Sequence, residues 1–285
     1  MNRAALCCAV CVALAAASPA GAAVRTHVFR FVDPSRSIAL PNGTRVPRPL
    51  TTVVRYPSSG GPHPLVVFGH GFALTPATYG RLLNAWAAAG FVVAAPIFPL
   101  ESAEAPGGPD EADLVNEPRD MSIVITRLLT LDDEKHGLLA GKIEPREIAV
   151  AGHSDGAEAA LAVAYDARYR DPRVRAAIVM SGAELPGMGA YPLHGPALLA
   201  TQGTADRINA PMYTADYFAR ARRPKFLLWL VGASHLPPYT DAPRQLRVVE
   251  AATIAFLDHY LKGGSLRAFV QAAQRPGLTR LQSDP

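Results

Sequence analysis

Residues 147–164 read EIAVAGHSDGAEAALAVA, and this stretch decides the fold. The apolar, β-branched run at its start is typical of a buried strand, and the small-residue run at its end is typical of a helix. Between them, Gly152, Ser154 and Gly156 form a G-x-S-x-G pattern. In the order strand, sharp turn, helix, this pattern presents a serine hydroxyl at the end of a parallel sheet. The alternative interpretation is an ordinary glycine-rich turn whose serine only caps the helix.

Outward from this stretch, apolar runs of strand length alternate with helical patterns, which is typical of an α/β fold. Alternating patterns near the start predict an antiparallel pair, Thr26–Val32 and Thr51–Tyr56. Continuous apolar runs then predict buried strands of a mostly parallel central sheet with helices on both faces. These strands are Leu65–Gly69, Phe91–Ala95, Arg146–Ala151, Val174–Ser181, Ala197–Thr201 and Phe226–Val231.

Helical patterns fill the intervals between the strands. They cover Pro76–Ala89, a segment capped by Asn116 that runs to Leu131, Pro211–Ala221 and a terminal amphipathic helix, Ala242–Lys262. The residues from Ser265 onward are expected to be partly loose. Pro96–Glu117 has no clear period, and long loops of this kind are often functional.

The first 22 residues are interpreted as a secretion signal rather than as part of the fold. Asn2 and Arg3 give a basic start, the apolar stretch Ala4–Ala17 is too short to span a bilayer, and small residues fit cleavage after Ala22. A buried N-terminal helix is the alternative. We expect a secreted or periplasmic protein in which residues 23–285 form a single domain. No later stretch reaches the roughly 18 apolar residues of a membrane span, so no membrane anchor is expected.

Cysteine positions and charge exclude several classes of function. All three cysteines, Cys7, Cys8 and Cys11, lie in that N-terminal segment, so the mature chain would have neither a disulfide nor a cysteine nucleophile. The formal net charge of +4 is scattered and forms no basic stripe, so nucleic acid is not expected as a partner. No zinc-ligand spacing and no cofactor motif occur, so neither a metal nor a cofactor is expected.

A serine hydroxyl becomes a nucleophile when a histidine takes its proton and a carboxylate holds that histidine in one tautomer. Asp206 follows the predicted strand Ala197–Thr201, and His235 follows the predicted strand Phe226–Val231. Parallel strands end at the same edge of a sheet, so these side chains are expected to meet Ser154 there. The candidate catalytic residues are therefore Ser154, Asp206 and His235.

Other acids and histidines compete for these two roles. Asp206 could instead cap the helix that follows it, whereas Asp216 and Asp241 lie inside or before helices and reach the site less well. His194 stands in a loop with glycine and proline and is interpreted as a loop or pocket residue. His259 stands near the end of the terminal helix and is interpreted as a solvated partner of the helix dipole.

The tetrahedral intermediate of acyl transfer needs two backbone N–H donors. One is expected from Asp155, and the other from Phe72 in the loop after the predicted strand Leu65–Gly69. The Phe72 ring is expected to wall the acyl pocket or to pack in the core, and the two roles are compatible. His70 is expected to orient this loop, and His153 to support the serine turn from below.

Acidic residues are frequent between positions 101 and 117. Their spacing matches no calcium-binding loop, and we interpret them as a solvated rim over the active site. They are Glu101, Glu104, Asp110, Glu111, Asp113 and Glu117.

Three further motifs carry a family resemblance: LVVFGHGF at residues 65–72, GFVVAAP at 90–96 and NEPRD at 116–120. With the serine turn, they resemble the α/β-hydrolase superfamily, and within it the group of chlorophyllases, platelet-activating-factor acetylhydrolases and cutinase-like polyesterases. The resemblance spans roughly residues 51–260. It implies an α/β-hydrolase fold and a cofactor-free serine ester hydrolase. The implied triad is Ser154, Asp206 and His235, and the implied oxyanion hole is Phe72 and Asp155.

The resemblance leaves three interpretations of the function. The first is a secreted carboxylesterase or lipase that acts on small-molecule esters of short to medium acyl chains. The second is a polyester hydrolase, with a polymeric ester as substrate, or a peptidase of the same fold. The third is a binding protein on an inactive scaffold, and the complete set of triad residues speaks against it.

Overall fold

The described residues form a mixed sheet of nine strands with helices on both faces. The structure, a computed structural model, describes residues 23–185, 187 and 195–285. The strands are β1 Val24–Ala39, β2 Arg45–Pro57, β3 His63–Gly69, β4 Val92–Pro96, β5 Ile143–His153, β6 Val174–Met180, β7 Ala197–Gly203, β8 Lys225–Leu230 and β9 Thr279–Asp284. The helices are α1 Gly80–Ala88, α2 Glu117–Asp132, α3 Asp155–Tyr165, α4 Pro211–Arg220, α5 Pro237–Thr240, α6 Pro243–Lys262 and α7 Leu266–Ala273, with a 3₁₀ helix, Glu111–Asn116, before α2.

The sheet has the strand order β1-β2-β4-β3-β5-β6-β7-β8-β9. The six central strands, from β4 to β8 in this order, run parallel. The outer strands β1, β2 and β9 pair antiparallel. The predicted mostly parallel sheet with an opening antiparallel pair is confirmed. Its geometry places the carboxyl ends of β5, β7 and β8 at one edge, where the candidate residues follow them.

Two hydrophobic layers cover the sheet. On one face, α2, α3 and α4 bury side chains such as Val124, Leu161 and Tyr217. On the other face, α1, α6 and α7 bury large aromatic residues, among them Trp86 and Phe256. Residues of β5 alternate between the two layers, as a strand covered on both faces requires. This double cover fixes the central strands and hence the turns that carry the site.

The C-terminal tail is ordered by pairing, which corrects the expectation of a partly loose segment after Ser265. The strand β9 pairs with β8 along its whole length, from Lys225 to Leu230. Helix α7 buries Phe269 against Phe226 and Phe256, with ring centroids 4.9 and 5.6 Å apart. The tail therefore covers an edge of the sheet that would otherwise be open to pairing with another chain.

Element boundaries also differ from the prediction elsewhere, as three examples show. Strand β1 extends to Ala39 through a register shift between Asp33 and Ser37, which an alternation pattern does not reveal. Helix α1 begins at Gly80 rather than at Pro76, because turns occupy the intervening residues. The segment predicted as a loop, Pro96–Glu117, contains the 3₁₀ helix near its end.

Two predictions fall outside the described residues: the secretion signal of residues 1–22 and the loop position of His194. Within the part of the chain that is described, no helix combines the length and the apolar character that crossing a bilayer requires.

Candidate active site

The serine turn holds Ser154 in a strained conformation between β5 and α3. Its φ is 56° and its ψ is −126°, values that a non-glycine residue rarely adopts. A Cβ atom on Gly152 would lie 2.0 Å from the carbonyl oxygen of Gly156, so the turn tolerates only glycine at position 152. The Ser154 side chain makes no capping hydrogen bond to α3, so the interpretation as a mere helix cap is wrong. Backbone strain of this kind is typical of functional sites.

Ser154, His235 and Asp206 lie in one chain of hydrogen-bonding contacts. Ser154 Oγ is 3.0 Å from His235 Nε2, and His235 Nδ1 is 2.8 Å from Asp206 Oδ2. For the Ser154 proton to be accepted at Nε2, the neutral ring must carry its own proton on Nδ1, where it donates to the carboxylate. The structure thus brings together the three side chains that the sequence selected, each from the end of a different strand.

Hydrogen bonds fix the Asp206 carboxylate in place. Its Oδ1 accepts from the N–H groups of Ile208 and Asn209 at 2.9 and 3.1 Å, and its Oδ2 accepts from Gln202 Nε2 at 3.1 Å. Burial by itself would raise the pKa of Asp206, but the bonds from His235 and Ile208 outweigh burial and lower that pKa below its usual value. Helix α4 begins five residues later with Ala210 at its cap position, so Asp206 does not cap it.

The rival residues lie elsewhere. Asp216, on α4, pairs with Arg220 at 2.9 Å, and Asp241 is exposed. The ring of His259 is half-buried and donates from Nδ1 to the carbonyl of Gly264 at 2.6 Å, rather than being solvated as expected. None of these three contacts the chain of Ser154, His235 and Asp206.

The loop after β3 lies directly against the nucleophile. A Cβ atom on Gly71 would come within 3.0 Å of Ser154 Cβ. The backbone N–H groups of Phe72 and Asp155 donate to no carbonyl or side chain of the described residues, whereas those of Gly71 and Ala73 are both engaged. Two free N–H groups beside a serine hydroxyl are what a tetrahedral oxyanion requires.

His70 holds this loop in a single conformation, as its sequence position predicted. Its Nδ1 donates to the carbonyl of Gly71 at 3.0 Å, and its Nε2 accepts from the N–H of Phe98 at 3.0 Å. Burial lowers the pKa of His70 to about 4, although the bond to Gly71 opposes this shift. The ring is therefore neutral at ordinary pH, which suits a residue that donates with one nitrogen and accepts with the other.

Sequence reasoning missed Tyr79, which links the loop to the base. Its Oη accepts from the N–H of Gly71 at 3.3 Å and donates to His153 Nδ1 at 2.8 Å. His153 Nε2 in turn donates to the backbone carbonyl of His235 at 3.1 Å. Burial lowers the pKa of His153 to about 3, so its ring is also neutral. No sequence signal marks Tyr79, because it lies in a turn far from the serine along the chain.

Two cavities of about 710 Å³ each are lined in part by Ser154. The first is lined mainly by apolar groups, including Leu74, Leu236 and Pro237. The second is lined by both apolar and acidic side chains: Leu114, Val115, Tyr213, Glu111, Asp155, Glu158, Glu184 and Asp216. Phe72 and Ile208 line both cavities, and the Phe72 ring is 40% exposed, so it is a wall residue rather than a core residue.

The acidic segment after β4 is only in part the solvated rim that its composition suggested, and its exposed Glu111 lines the second cavity. Three of its members are exposed, but Glu101 and Glu117 are fully buried and Asp113 is 5% exposed. Asp113 bonds the buried guanidinium of Arg48, with oxygen–nitrogen distances of 3.0 and 2.6 Å. The prediction was wrong for these three residues because tertiary contacts bury them. The sequence of this segment has no clear hydrophobic period, so it does not indicate which of its acids are buried.

Comparison with known proteins agrees with this arrangement. A family model described as "Chlorophyllase" matches residues 30–212. The chain belongs to the chlorophyllase family. A 124-residue stretch is 31% identical to "Chlorophyllase type 0" of Chenopodium album, and it covers 41% of this chain and 33% of that protein. The match thus spans a third of the length of this curated relative.

A solved structure supports the fold. The ferulic acid esterase of Streptomyces cinnamoneus superposes with a TM-score of 0.66 over 93% of this chain and 96% of its own, at 22% identity. The α/β-hydrolase fold that the motifs predicted is therefore confirmed for this member of the chlorophyllase family.

Proposed function

We propose that this protein is a serine hydrolase of carboxylic esters that works through an acyl-enzyme formed on Ser154. The observation that carries the proposal is the continuous contact from Ser154 Oγ through His235 to Asp206, at 3.0 and 2.8 Å, on a strained turn. A binding protein on the same scaffold would have no reason to maintain this strain and this alignment together.

The geometry supports a two-step reaction. Ser154 Oγ attacks the ester carbonyl while its proton passes to His235 Nε2, and the Nδ1–H of the resulting imidazolium stays bonded to Asp206. The N–H groups of Phe72 and Asp155 stabilise the negative oxygen. His235 then gives the proton to the departing alkoxide oxygen, which leaves as the alcohol. Water attacks the acyl-enzyme with the same base, releasing the acid and restoring the serine.

The surface around Ser154 favours esters with a bulky apolar part. Four cavity-lining apolar residues are substantially exposed: Phe72 at 40%, Val115 at 44%, Ile208 at 70% and Tyr213 at 50%. An exposed apolar patch beside a cleft marks a surface that binds an apolar partner. Both names found by comparison, a chlorophyllase and a ferulic acid esterase, denote enzymes, and the second states an ester substrate. We propose a small-molecule ester as the main substrate, with a polymeric ester as the alternative.

Ser154→Ala provides the test of the nucleophile. On p-nitrophenyl esters we expect kcat to fall by about 10⁴-fold or more, with an unchanged urea unfolding midpoint. A fluorophosphonate probe should label Ser154 in the wild type, as mass spectrometry of the peptides would show. Ser59→Ala, an exposed serine remote from the site, is the matched control and should keep full activity. Label on another residue, or an active alanine variant, would refute the assignment.

Substrate size is tested with the same assay. A series of acyl esters from C2 to C12, together with a polyester film, separates a preference for small esters from one for polymers. We expect Ile208→Ala to alter the dependence on chain length, because Ile208 lines both cavities.

We also propose that the protein is exported, on the sequence of residues 1–22. Fractionation of expressing cells, with mass determination of the mature N-terminus, tests this. A product that retains residues 1–22 in the cytoplasm would contradict it.

A further inference from the structure

Three carboxyl side chains meet in the interior, and one of them belongs to Asp155, the residue that follows the nucleophile. Glu101 and Glu117 are fully buried, and Asp155 is 8% exposed. The Glu101 carboxyl lies within hydrogen-bonding reach of both others. Glu101 comes from the segment after β4, Glu117 from the first turn of α2 and Asp155 from the first turn of α3. Only the tertiary fold brings them together.

Most oxygens of this carboxyl cluster lack a donor. Both oxygens of Glu101, both of Glu117 and Oδ2 of Asp155 are buried, and no N–H or O–H group of the described residues donates to them. The nearby buried cation, Arg48, gives its donors to Asp113 and Asp120 instead. Buried carboxylates with neither a donor nor a paired cation are strongly disfavoured in the ionised form.

Either protons or a metal ion could satisfy such oxygens. Throughout the described part of the chain, no group of three acidic, histidine or cysteine side chains has an arrangement that could hold a metal ion. A protonated carboxyl supplies one O–H donor, and that donor is what its carboxyl neighbour lacks. Two protons suffice for three carboxyls in a row.

We propose that Glu117 and Glu101 are protonated at neutral pH and form a relay in which Glu117 donates to Glu101 and Glu101 donates to Oδ2 of Asp155, which makes Glu101 a positioning residue for Ser154.

The surroundings of the cluster favour the neutral form. Burial raises the pKa of Glu101 to about 9, and the charge of Asp155 adds to this shift. Burial raises the pKa of Glu117 well above its usual range, with Glu101 and Asp120 adding to it. Outside the cluster, the charged groups that raise these two pKa values are Asp113 and Asp120, and both are bonded to the buried guanidinium of Arg48.

The relay affects the nucleophile through Asp155. Ser154 Oγ lies 3.0 Å from His235 Nε2 and 3.3 Å from Asp155 Oδ1, so its proton has two possible acceptors. Only the bond to His235 leads to attack. A proton donated by Glu101 to Oδ2 draws charge away from Oδ1, which makes Oδ1 a weaker acceptor for the Ser154 proton than His235 Nε2. The effect of the relay on turnover rests on the proposed esterase function, whereas the protonation of Glu101 does not.

Infrared spectroscopy tests the protonation directly. The difference spectrum between wild type and Glu101→Gln at pH 7 should contain the carbonyl band of a protonated carboxyl, and this band should vanish when the pH is raised well above 9. Glu104→Gln is the matched control, since Glu104 is exposed on the same segment and should contribute only carboxylate bands. A Glu101→Gln difference spectrum that contains carboxylate bands alone would overturn the proposal. Carboxylate bands that appear only after a divalent cation is added would also overturn it.

The pH profile tests the positioning role. One pH unit above its pKa, about a tenth of a group remains protonated, so wild-type kcat/KM should fall roughly tenfold between pH 8 and pH 10. Glu101→Gln keeps a permanent N–H donor and should lose this alkaline decline, whereas Glu101→Ala should have a lower kcat at every pH. Identical alkaline declines in wild type and Glu101→Gln would show a purely structural role. A protein without any esterase activity would refute the proposed function, and the infrared result would still decide the protonation.

Discussion

At the scale of single residues, the site depends on neutral rings that donate with one nitrogen and accept with the other. His70 and His153 both lie in this state, since burial lowers the pKa of each far below 6.5. The His153 ring hydrogen-bonds the backbone of His235 and the hydroxyl of Tyr79. The same hydroxyl also bonds Gly71, in the loop that carries Phe72. The base and the oxyanion loop are thereby held by one connected set of bonds. A substitution of Tyr79 should therefore affect both the base, His235, and the oxyanion loop.

Tyr79→Phe should destabilise the protein and lower its turnover. The change leaves the N–H of Gly71 and the Nδ1 of His153 buried without a partner, at a cost of about 1–3 kcal/mol in the free energy of unfolding. We expect kcat to fall more than KM rises, because the loop positions the transition state rather than the bound ester. Urea unfolding and steady-state kinetics measure the two effects.

The control for Tyr79 is Tyr213→Phe, whose side chain is half exposed and whose loss of a hydroxyl should leave the free energy of unfolding nearly unchanged. Equal stability of the Tyr79 and Tyr213 variants would mean that the Tyr79 hydroxyl makes no stabilising bond.

At the scale of elements, a buried ion network fastens the opening hairpin to the segment that carries the carboxyl cluster. Arg48 on β2 bonds both oxygens of Asp113 in the 3₁₀ helix and both oxygens of Asp120 on α2. Arg36, on β1, also bonds Asp120. Arg48, Asp113 and Asp120 are nearly or fully buried, and the partly buried Arg36 also pairs with the buried Asp33. The network thus determines where α2 begins and, with it, where Glu117 lies.

Arg48→Met should be strongly destabilising. It leaves two buried carboxylates without their main cation, and breaking a buried pair in this way costs about 3–5 kcal/mol. Chemical denaturation monitored by circular dichroism measures the loss. Arg45→Met on the same strand removes an exposed guanidinium that bonds only Ser37, so its effect should stay within about 0.5 kcal/mol. Similar losses in both variants would show that the network adds no stability.

At the scale of the whole molecule, buried titratable groups set the pH range in which the fold is most stable. Burial raises the pKa of Glu101 to about 9 and that of Glu158 to about 8, and also raises that of Glu117. Burial lowers the pKa of His70 to about 4 and that of His153 to about 3. The two sets act in opposite directions on the pH dependence of unfolding.

The urea midpoint should be highest between about pH 4.5 and 6.5. Glutamates of the unfolded chain lose their protons above their ordinary pKa of 4.5, whereas folded Glu101 and Glu158 keep theirs up to pKa values of about 9 and 8. Stability therefore falls as the pH rises above 4.5. Histidines of the unfolded chain bind protons below their ordinary pKa of 6.5, whereas folded His70 and His153 bind them only below pKa values of about 4 and 3. Stability therefore falls as the pH drops below 6.5. Midpoints measured from pH 3 to pH 10 test this.

Glu101→Gln should flatten the alkaline side of this curve, because the amide does not titrate. A wild-type maximum near pH 8 or above would contradict the burial of these acids in the neutral form.

Local pattern determined much of the architecture. Period and turn chemistry identified the six parallel strands, and each observed strand begins and ends within a few residues of its predicted range. The choice of Asp206 and His235 followed from residues just past the strand ends, together with the chain order Ser, Asp, His that is expected of this architecture. Asn116 was also identified at the cap position of α2. Such features are predictable because they depend on neighbours in sequence: apolar alternation, glycine in a tight turn and residues just past a strand.

Other features had no local signal. Nothing in residues 279–284 marks a strand, since their character as β9 comes from the open edge of β8. Acidic residues usually face solvent, so the burial of Glu101 and Glu117 could not be read from composition. Tyr79 gains its role only from contacts with residues 8 and 74 positions away.

The sequence by itself therefore determined the fold class, the serine turn and the three side chains, Ser154, Asp206 and His235, that meet at the edge of the sheet. It could do so because steric and hydrophobic rules act over a few residues. Only the tertiary structure decided how the tail closes the sheet, which cavity is acidic and which carboxyls lie behind Asp155. Those outcomes depend on the free energy of burying polar groups beside partners that are distant in the chain, and no short pattern encodes such partners.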